Sequence, residues 1–138
     1  IAGVDQGAKV SLLDLIDELR LNEIVFFLGF VSEPEKFALI RGCIALVMLG
    51  RNEGFGIPVI EGLAFGKPTI AAPSGALPEI VGDTGIVLKE ASPKDLANAM
   101  RLCSSDVNLI SIDSIKSHLA KFSPEAQRAL FWNIFKAL

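Results

Sequence analysis

Short apolar runs that alternate with helical segments most constrain the fold of this 138-residue chain. The runs at residues 24–28, 44–49, 69–72 and 86–88 have the length of strands, and the first is continuously apolar until Gly29. Strands without polar alternation are typical of a sheet that is buried on both faces. Strands that alternate with helices favour βαβ units. The sequence therefore predicts an α/β fold, with a Rossmann-like parallel sheet and helices on both of its faces.

The helices between these runs are marked by apolar periodicity and by starting signals. Ser32-Glu33-Pro34-Glu35 predicts a capping box with proline in the first turn, and Ser92-Pro93-Lys94-Asp95 repeats this signature. An apolar stripe at helical spacing is formed by Leu12, Leu13, Ile16 and Leu19. Helices are predicted over residues 9–21, 32–41, 58–65, 77–81, 92–103, 111–120 and from 123 to the end, with a tight turn at 82–85.

Composition and charge exclude several classes of protein. Hydrophobic residues make up 51% of the chain and charged residues 21%, which indicates one globular domain over residues 1–138. The net charge of −3 argues against nucleic-acid binding, which usually requires a basic excess. Cys43 and Cys103 lack the spacing of metal ligands and fit a reducing, cytoplasmic setting. The longest apolar run is much shorter than the roughly 20 residues of a transmembrane helix.

A candidate binding site follows the strand predicted at residues 44–49. In open parallel sheets, ligands bind beyond the carboxyl ends of the strands. Gly54 and Gly56 are expected to adopt positive φ and to let the backbone approach a ligand closely. Pro58 opens the next helix, whose free N–H groups and dipole point back at the loop. This arrangement predicts a site for phosphate or diphosphate.

Two carboxylates flank the glycines. Glu61, expected in the first turn of the helix, is suited to bind the two hydroxyls of a ribose, as the acidic residue of dinucleotide folds does. Glu53, in the loop, can accept hydrogen bonds from sugar hydroxyls further along the same ligand. A phosphate, a ribose and a hexose together describe a sugar nucleotide. The structural alternative is that the glycines serve the turn alone and that Glu61 favours the positive helix end.

The same loop resembles the Glu, seven residues, Glu motif of a large family of retaining glycosyltransferases, which includes sucrose synthases and glycogen synthases. The motif is Glu53-Gly54-Phe55-Gly56-Ile57-Pro58-Val59-Ile60-Glu61. Further resemblances follow in the family's order: Phe27-Leu28-Gly29-Phe30-Val31, Gly66-Lys67-Pro68-Thr69-Ile70-Ala71, Gly75-Ala76-Leu77-Pro78-Glu79-Ile80-Val81, Asp83-Thr84-Gly85-Ile86-Val87 and Phe122-Ser123-Pro124-Glu125. The likeness covers nearly the whole chain.

The resemblance implies one half of the two-domain GT-B fold, namely the C-terminal half that binds a nucleotide-sugar donor. It assigns the ribose hydroxyls to Glu61 and hydroxyls of the transferred hexose to Glu53, the candidate catalytic residue. It assigns the sugar and phosphates to the backbone amides around Phe55, Gly56 and Ile57, and the base to main chain near Phe30 and Val31. It implies no metal and no cofactor, because the helix end and basic side chains neutralise the leaving diphosphate. The donor-binding set is Gly54, Phe55, Gly56, Ile57, Pro58, Glu61, Phe30 and Val31.

Some family features are absent from the chain. Ile1-Ala2-Gly3 resembles the end of a buried strand, without a starting methionine, so we expect the chain to be truncated at its N-terminal side. The Arg and Lys that contact diphosphate in the family, and the N-terminal acceptor domain, would lie upstream. Leu49-Gly50 stands where Pro-Ser is usual, Ile44 where Asp is frequent, and Gly62 where Ala is usual.

The resemblance implies transfer of a hexose to a saccharide or lipid acceptor, as in polysaccharide biosynthesis, with the fragment alone inactive. Any peripheral membrane association would arise through the full-length protein. Two alternatives remain: a sugar-nucleotide epimerase of the same fold, and a binding or assembly domain without catalysis. His118, the only histidine, is expected to serve packing or the surface rather than catalysis.

Overall fold

A computed structural model describes residues 1–5, 7–105 and 111–136 of the chain. They divide into two compact units, Ile1–Leu39 and Ile40–Leu138. The elements, in chain order, are α1 Lys9–Glu18, α2 Glu33–Gly42, β1 Leu46–Met48, α3 Ile57–Ala64, β2 Thr69–Ala71, α4 Leu77–Val81, a 3₁₀ turn Gly82–Thr84, β3 Ile86–Val87, α5 Pro93–Ser105, α6 Ile112–Ala120 and α7 Pro124–Lys136.

The second unit is built on a three-stranded parallel sheet in the order β1-β2-β3. Leu46 pairs with Thr69 and Met48 with Ala71, while Ala71 also pairs with Val87. Parallel neighbours need crossover connections, and α3 and α4 supply them. The predicted α/β class and parallel sheet are therefore confirmed, with strands somewhat shorter than the apolar runs.

Helices cover both faces of the central strand. Ala71 belongs to a core cluster with residues of α3, α4 and α6, whereas Ile70 belongs to a second cluster with Ala99 and Cys103 of α5. Successive residues of a strand point to opposite faces of the sheet, so β2 contributes residues to both clusters. All three residues of β2 are fully buried. This burial explains why its sequence lacks polar alternation.

One arm of the predicted capping box is present at the start of α2, namely the contact of the Glu35 carboxylate with the amide of Ser32. The amide of Ser32 donates to Oε2 of Glu35 at 2.8 Å, and the Ser32 hydroxyl donates to the same oxygen at 2.6 Å. Both bonds lower the pKa of Glu35, and the bond from the hydroxyl has the larger effect. At α5, the amide of Asp95 donates to the Ser92 hydroxyl at 3.2 Å, so Ser92 acts as the cap that the sequence predicts.

The first unit departs from the prediction at residues 24–28. Among the described residues, this segment forms no regular strand, and one isolated parallel bridge joins Ala2 to Gly29. Phe26 and Leu28 are 60% and 47% exposed, so the expectation of burial on both faces is wrong. The physical reason is pairing: within the described residues the segment hydrogen-bonds to residues 1–3 along one edge only.

The apolar stripe of α1 is also mostly exposed. Ile16 is buried, but Leu12, Leu13 and Leu19 are 38%, 44% and 56% exposed. The apolar periodicity therefore predicted the helix correctly, but it did not predict which of the apolar side chains are buried. Within the described part of the chain, no helix is both long enough and apolar enough to cross a membrane.

Candidate functional site

The candidate site lies where β1 and β2 end. Two segments leave the sheet at the same edge because the strands are parallel: residues 49–56, here called the β1 loop, and residues 72–76, here called the β2 loop. The β1 loop leads into α3 and the β2 loop into α4. This is the edge at which ligands bind to parallel sheets.

The two loops are joined by hydrogen bonds. The Ser74 hydroxyl donates to the carbonyl of Gly50 at 2.7 Å, and the amide of Ala76 donates to the carbonyl of Glu53 at 3.2 Å. Gly75 lies between these bonds with φ of +57°, and a Cβ there would stand 2.5 Å from the Glu53 carbonyl oxygen. Only glycine allows the loops to approach so closely.

Gly56 is the residue from which α3 begins. Its φ of +74° confirms the predicted left-handed conformation, and a Cβ there would lie 2.9 Å from Cδ2 of Leu77. The same prediction for Gly54 is wrong, since Gly54 has no positive φ. One left-handed residue suffices to turn the chain into the helix. Among the described atoms, none lies within 4 Å of the Cβ position of Gly54, so this residue faces open space.

The N-terminus of α3 has the properties expected of an anion site. Within residues 1–5, 7–105 and 111–136, no side chain hydrogen-bonds to it as a cap. Pro58 is the second residue of the helix, where its missing N–H costs no internal bond, and Ile57, the first, is 61% exposed. The helix dipole adds about 0.3–1 kcal/mol of attraction for an anion at such an end.

Glu53 precedes this helix start in the chain and Glu61 follows it, one turn later than the sequence predicts. Glu53 is partly buried in the β1 loop, and a Cβ at Gly50 would lie 2.5 Å from its Oε1. Glu61 is the fifth residue of α3, in the second turn and not the first, because the helix begins at Ile57 and a turn takes 3.6 residues. Its Oε2 is shielded from solvent.

Phe30 and Val31 lie in the first unit, on the segment that precedes α2. Phe30 is 80% exposed, and Val31 is partly buried. Just before them, Gly29 lines a cavity of about 210 Å³, together with Gly3, Asp5 and Lys9 among others. Ala2 and Gly29, which form the isolated parallel bridge, both line this cavity.

Ser74, Gly75 and Ala76 contact the β1 loop, but they are not among the residues that the sequence predicts for the site. A signal was available: Pro73-Ser74-Gly75 follows a strand directly, and loops after adjacent parallel strands meet at one edge. The missing information was that β1 and β2 are neighbours, which apolar runs alone do not specify.

The cysteines do not offer a reactive thiolate. Burial is the main cause that raises the pKa of both Cys43 and Cys103, and neither is in a disulfide. Among the described side chains, no three His, Cys, Asp or Glu residues are grouped as metal ligands. The polar groups of the two loops include the Glu53 carboxylate, the exposed Arg51 guanidinium and the Ser74 hydroxyl, beside backbone amides and the start of α3.

Comparison with known proteins gives one family. A family model described as glycosyl transferases group 1 matches residues 1–112. A D-inositol 3-phosphate glycosyltransferase of Corynebacterium aurimucosum is 32% identical over 142 aligned residues, which cover 98% of this chain and 34% of the relative. The chain spans between 20% and 35% of the length of such curated relatives.

Solved structures share the fold. The Anabaena protein HepE, in complex with UDP and glucose, superposes with a TM-score of 0.78 at 23% identity, over 99% of this chain and 40% of HepE. A sucrose-phosphate synthase from Thermosynechococcus elongatus gives 0.72 at 26% identity, over 99% of this chain and 38% of the synthase. The likeness therefore extends over nearly all of the chain but less than half of either neighbour.

Proposed function

We propose, since this chain belongs to the family of glycosyl transferases group 1, that it forms the C-terminal, donor-binding domain of a retaining hexosyltransferase. The whole protein would move a hexose from a nucleoside-diphosphate sugar to a saccharide or lipid acceptor. The observation that carries the proposal is the meeting of the β1 and β2 loops around the start of α3, with Glu53 and Glu61 on either side of it.

Each part of the donor then has a residue of suitable chemistry. The backbone amides around Phe55, Gly56 and Ile57 bind the sugar and the diphosphate, because the start of α3 attracts anions. Gly54 supports this role, since the space beside it is open. Pro58 fixes the first turn of α3, whose free N–H groups face the phosphates.

The carboxylates bind hydroxyl groups on the two sides of the diphosphate. Glu53 accepts hydrogen bonds from the hexose and Glu61 from the ribose. Main chain at Phe30 and Val31 contacts the base on this proposal, as the resemblance to the family implies. The presence of UDP in a neighbour of the same fold makes a uridine nucleotide the first donor to test.

Catalysis on this proposal is mostly positioning and electrostatic stabilisation. The anomeric carbon keeps its configuration, the diphosphate leaves toward the start of α3, and one of its oxygens accepts the acceptor's proton. Glu53 orients the hexose and is not assigned as a nucleophile. We propose that no metal takes part, that an acceptor domain and two basic residues in the remainder of the protein complete the cleft, and that this chain alone binds donor weakly and transfers nothing.

Calorimetric or NMR titration of the chain with UDP, GDP and ADP tests the proposal. One of the three is expected to bind, with an affinity unchanged by EDTA because no metal is involved. An absence of shifts with all three at millimolar concentration would favour a binding or assembly domain. Product analysis of the whole protein separates a transferase from an epimerase of the same fold, because an epimerase needs no acceptor.

Replacing Glu53 by alanine should separate the sugar from the nucleotide. UDP affinity is expected to change by less than about twofold, while UDP-glucose affinity should fall about tenfold, the effect of one charge-assisted hydrogen bond. Calorimetry with the two ligands measures the difference. Asn52→Ala, an exposed neighbour in the same loop, is the matched control and should change neither affinity. An equal loss for both ligands in Glu53→Ala would contradict the role of this carboxylate.

A further inference from the structure

His118 is a buried side chain that the proposed chemistry does not use. It lies on α6 and is 8% exposed, which agrees with the expected packing role. Its Nε2 lies 2.7 Å from the carbonyl oxygen of Ile80 near the end of α4, and because a carbonyl only accepts, Nε2–H is the donor. A Cβ at Gly82 would lie 2.5 Å from Cε1 of His118, so the imidazole fills the space beside the turn that follows α4.

The other end of α4 contacts the β1 loop. The amide of Ala76 donates to the Glu53 carbonyl, and Cδ2 of Leu77 lies 2.9 Å from the Cβ position of Gly56. α4 has only five residues, too few for a helix that is stable without tertiary contacts. The position of α4 therefore depends on its tertiary contacts, which include the bond from His118. The contacts of Ala76 and Leu77 with the β1 loop depend in turn on the position of α4.

His118 is also linked to the β1 loop by two successive aromatic contacts. The rings of His118 and Phe122 meet edge-on, with centroids 5.3 Å apart, and those of Phe122 and Phe55 do the same at 6.1 Å. Phe55 is 48% exposed, so one side of its ring faces solvent while the other meets Phe122. Edge-to-face contacts at these separations fix the relative orientation of the rings.

We infer that His118 and Phe122 are positioning residues for the β1 loop: His118 acts through α4 on Glu53 and Gly56, and Phe122 acts directly on Phe55. The inference rests on the proposed function for its consequence, which is that the pair sets how well the loop holds the sugar of the donor. Hydrogen exchange in the loop can be measured without ligand, so the positioning of the loop and its effect on binding are tested separately.

The test uses His118→Leu and Phe122→Leu in the full chain. Hydrogen exchange at the backbone amides of residues 53–57, measured without ligand, is expected to quicken about 2- to 10-fold, the effect of losing one or two ring contacts. The ratio of UDP-glucose affinity to UDP affinity should fall by a similar factor. His118→Gln, whose amide can donate to the Ile80 carbonyl, should restore part of the protection.

Two control variants separate positioning from general loss of stability. Leu88→Val weakens the second core cluster, and Phe131→Leu removes an exposed ring on α7 that packs on Trp132. Neither should alter exchange at residues 53–57 or the affinity ratio. The inference fails if His118→Leu and Phe122→Leu behave like Leu88→Val, or if exchange quickens while the ratio stays constant. Absence of UDP binding in the unsubstituted chain would contradict the proposed function instead, and the exchange rates alone would then decide the inference.

Discussion

Gly75→Ala is expected to lower the free energy of unfolding by about 3 kcal/mol, because two costs add at this residue. A side chain in the left-handed conformation costs about 1–2 kcal/mol, and the residue has φ of +57°. The new Cβ would also stand 2.5 Å from the carbonyl oxygen of Glu53, which is backbone and cannot rotate away. Forced overpacking of this kind adds about 1–3 kcal/mol. Urea denaturation measures the loss.

Gly66→Ala is the matched control for that experiment. Gly66 has φ of +68°, but a Cβ there meets no described atom within 4 Å, so this variant should show the conformational cost alone. The difference between the two variants reports the contact between the β1 and β2 loops. If both variants lose the same free energy of unfolding, the β1 and β2 loops are not in close contact at Gly75, and this geometry of the site is wrong.

Glu61→Ala is expected to weaken binding of UDP and UDP-glucose equally, by about 10- to 150-fold. This range corresponds to the roughly 1.5–3 kcal/mol of a hydrogen bond to a charged group, and it applies to both ligands because both contain the ribose. Calorimetric titration of each ligand measures the loss. Glu125→Ala removes the same charge from an exposed residue of α7 and should leave both affinities unchanged.

The pair of carboxylate variants tests the assignment more sharply than either alone. Glu61→Ala should affect both ligands, whereas Glu53→Ala should affect only the one that contains a hexose. If Glu61→Ala left the affinity for UDP unchanged, the ribose would be bound by other residues. A thermal melt of each variant is needed beside the titrations, because Oε2 of Glu61 is buried and its removal can also alter stability.

Local signals account for the parts of the fold that the sequence predicted well. The contact of Glu35 with Ser32, the cap at Ser92 and the prolines after helix starts act within a few residues, so α2, α3 and α5 begin close to the expected positions. The resemblance to a glycosyltransferase family is confirmed, since its motifs follow one another in order along the chain.

Features that depend on distant partners were predicted less well. The burial of residues 24–28 requires neighbouring strands, and the contact of Gly75 with Glu53 requires β1 and β2 to be adjacent. The conformation of Gly54 depends on how the loop packs, which a Gly-x-Gly pattern does not specify. The roles of Glu53 and Glu61 in binding remain predictions, because no ligand-bound geometry tests them.

The bond between Ala76 and Glu53 joins main-chain atoms only, so it persists whatever side chains stand at those two places. Substitutions at these two residues that keep the backbone amide can therefore change the groups presented at this edge of the sheet without breaking the bond between the two loops. Gly75 is the exception. A side chain there would meet the backbone carbonyl of Glu53 directly.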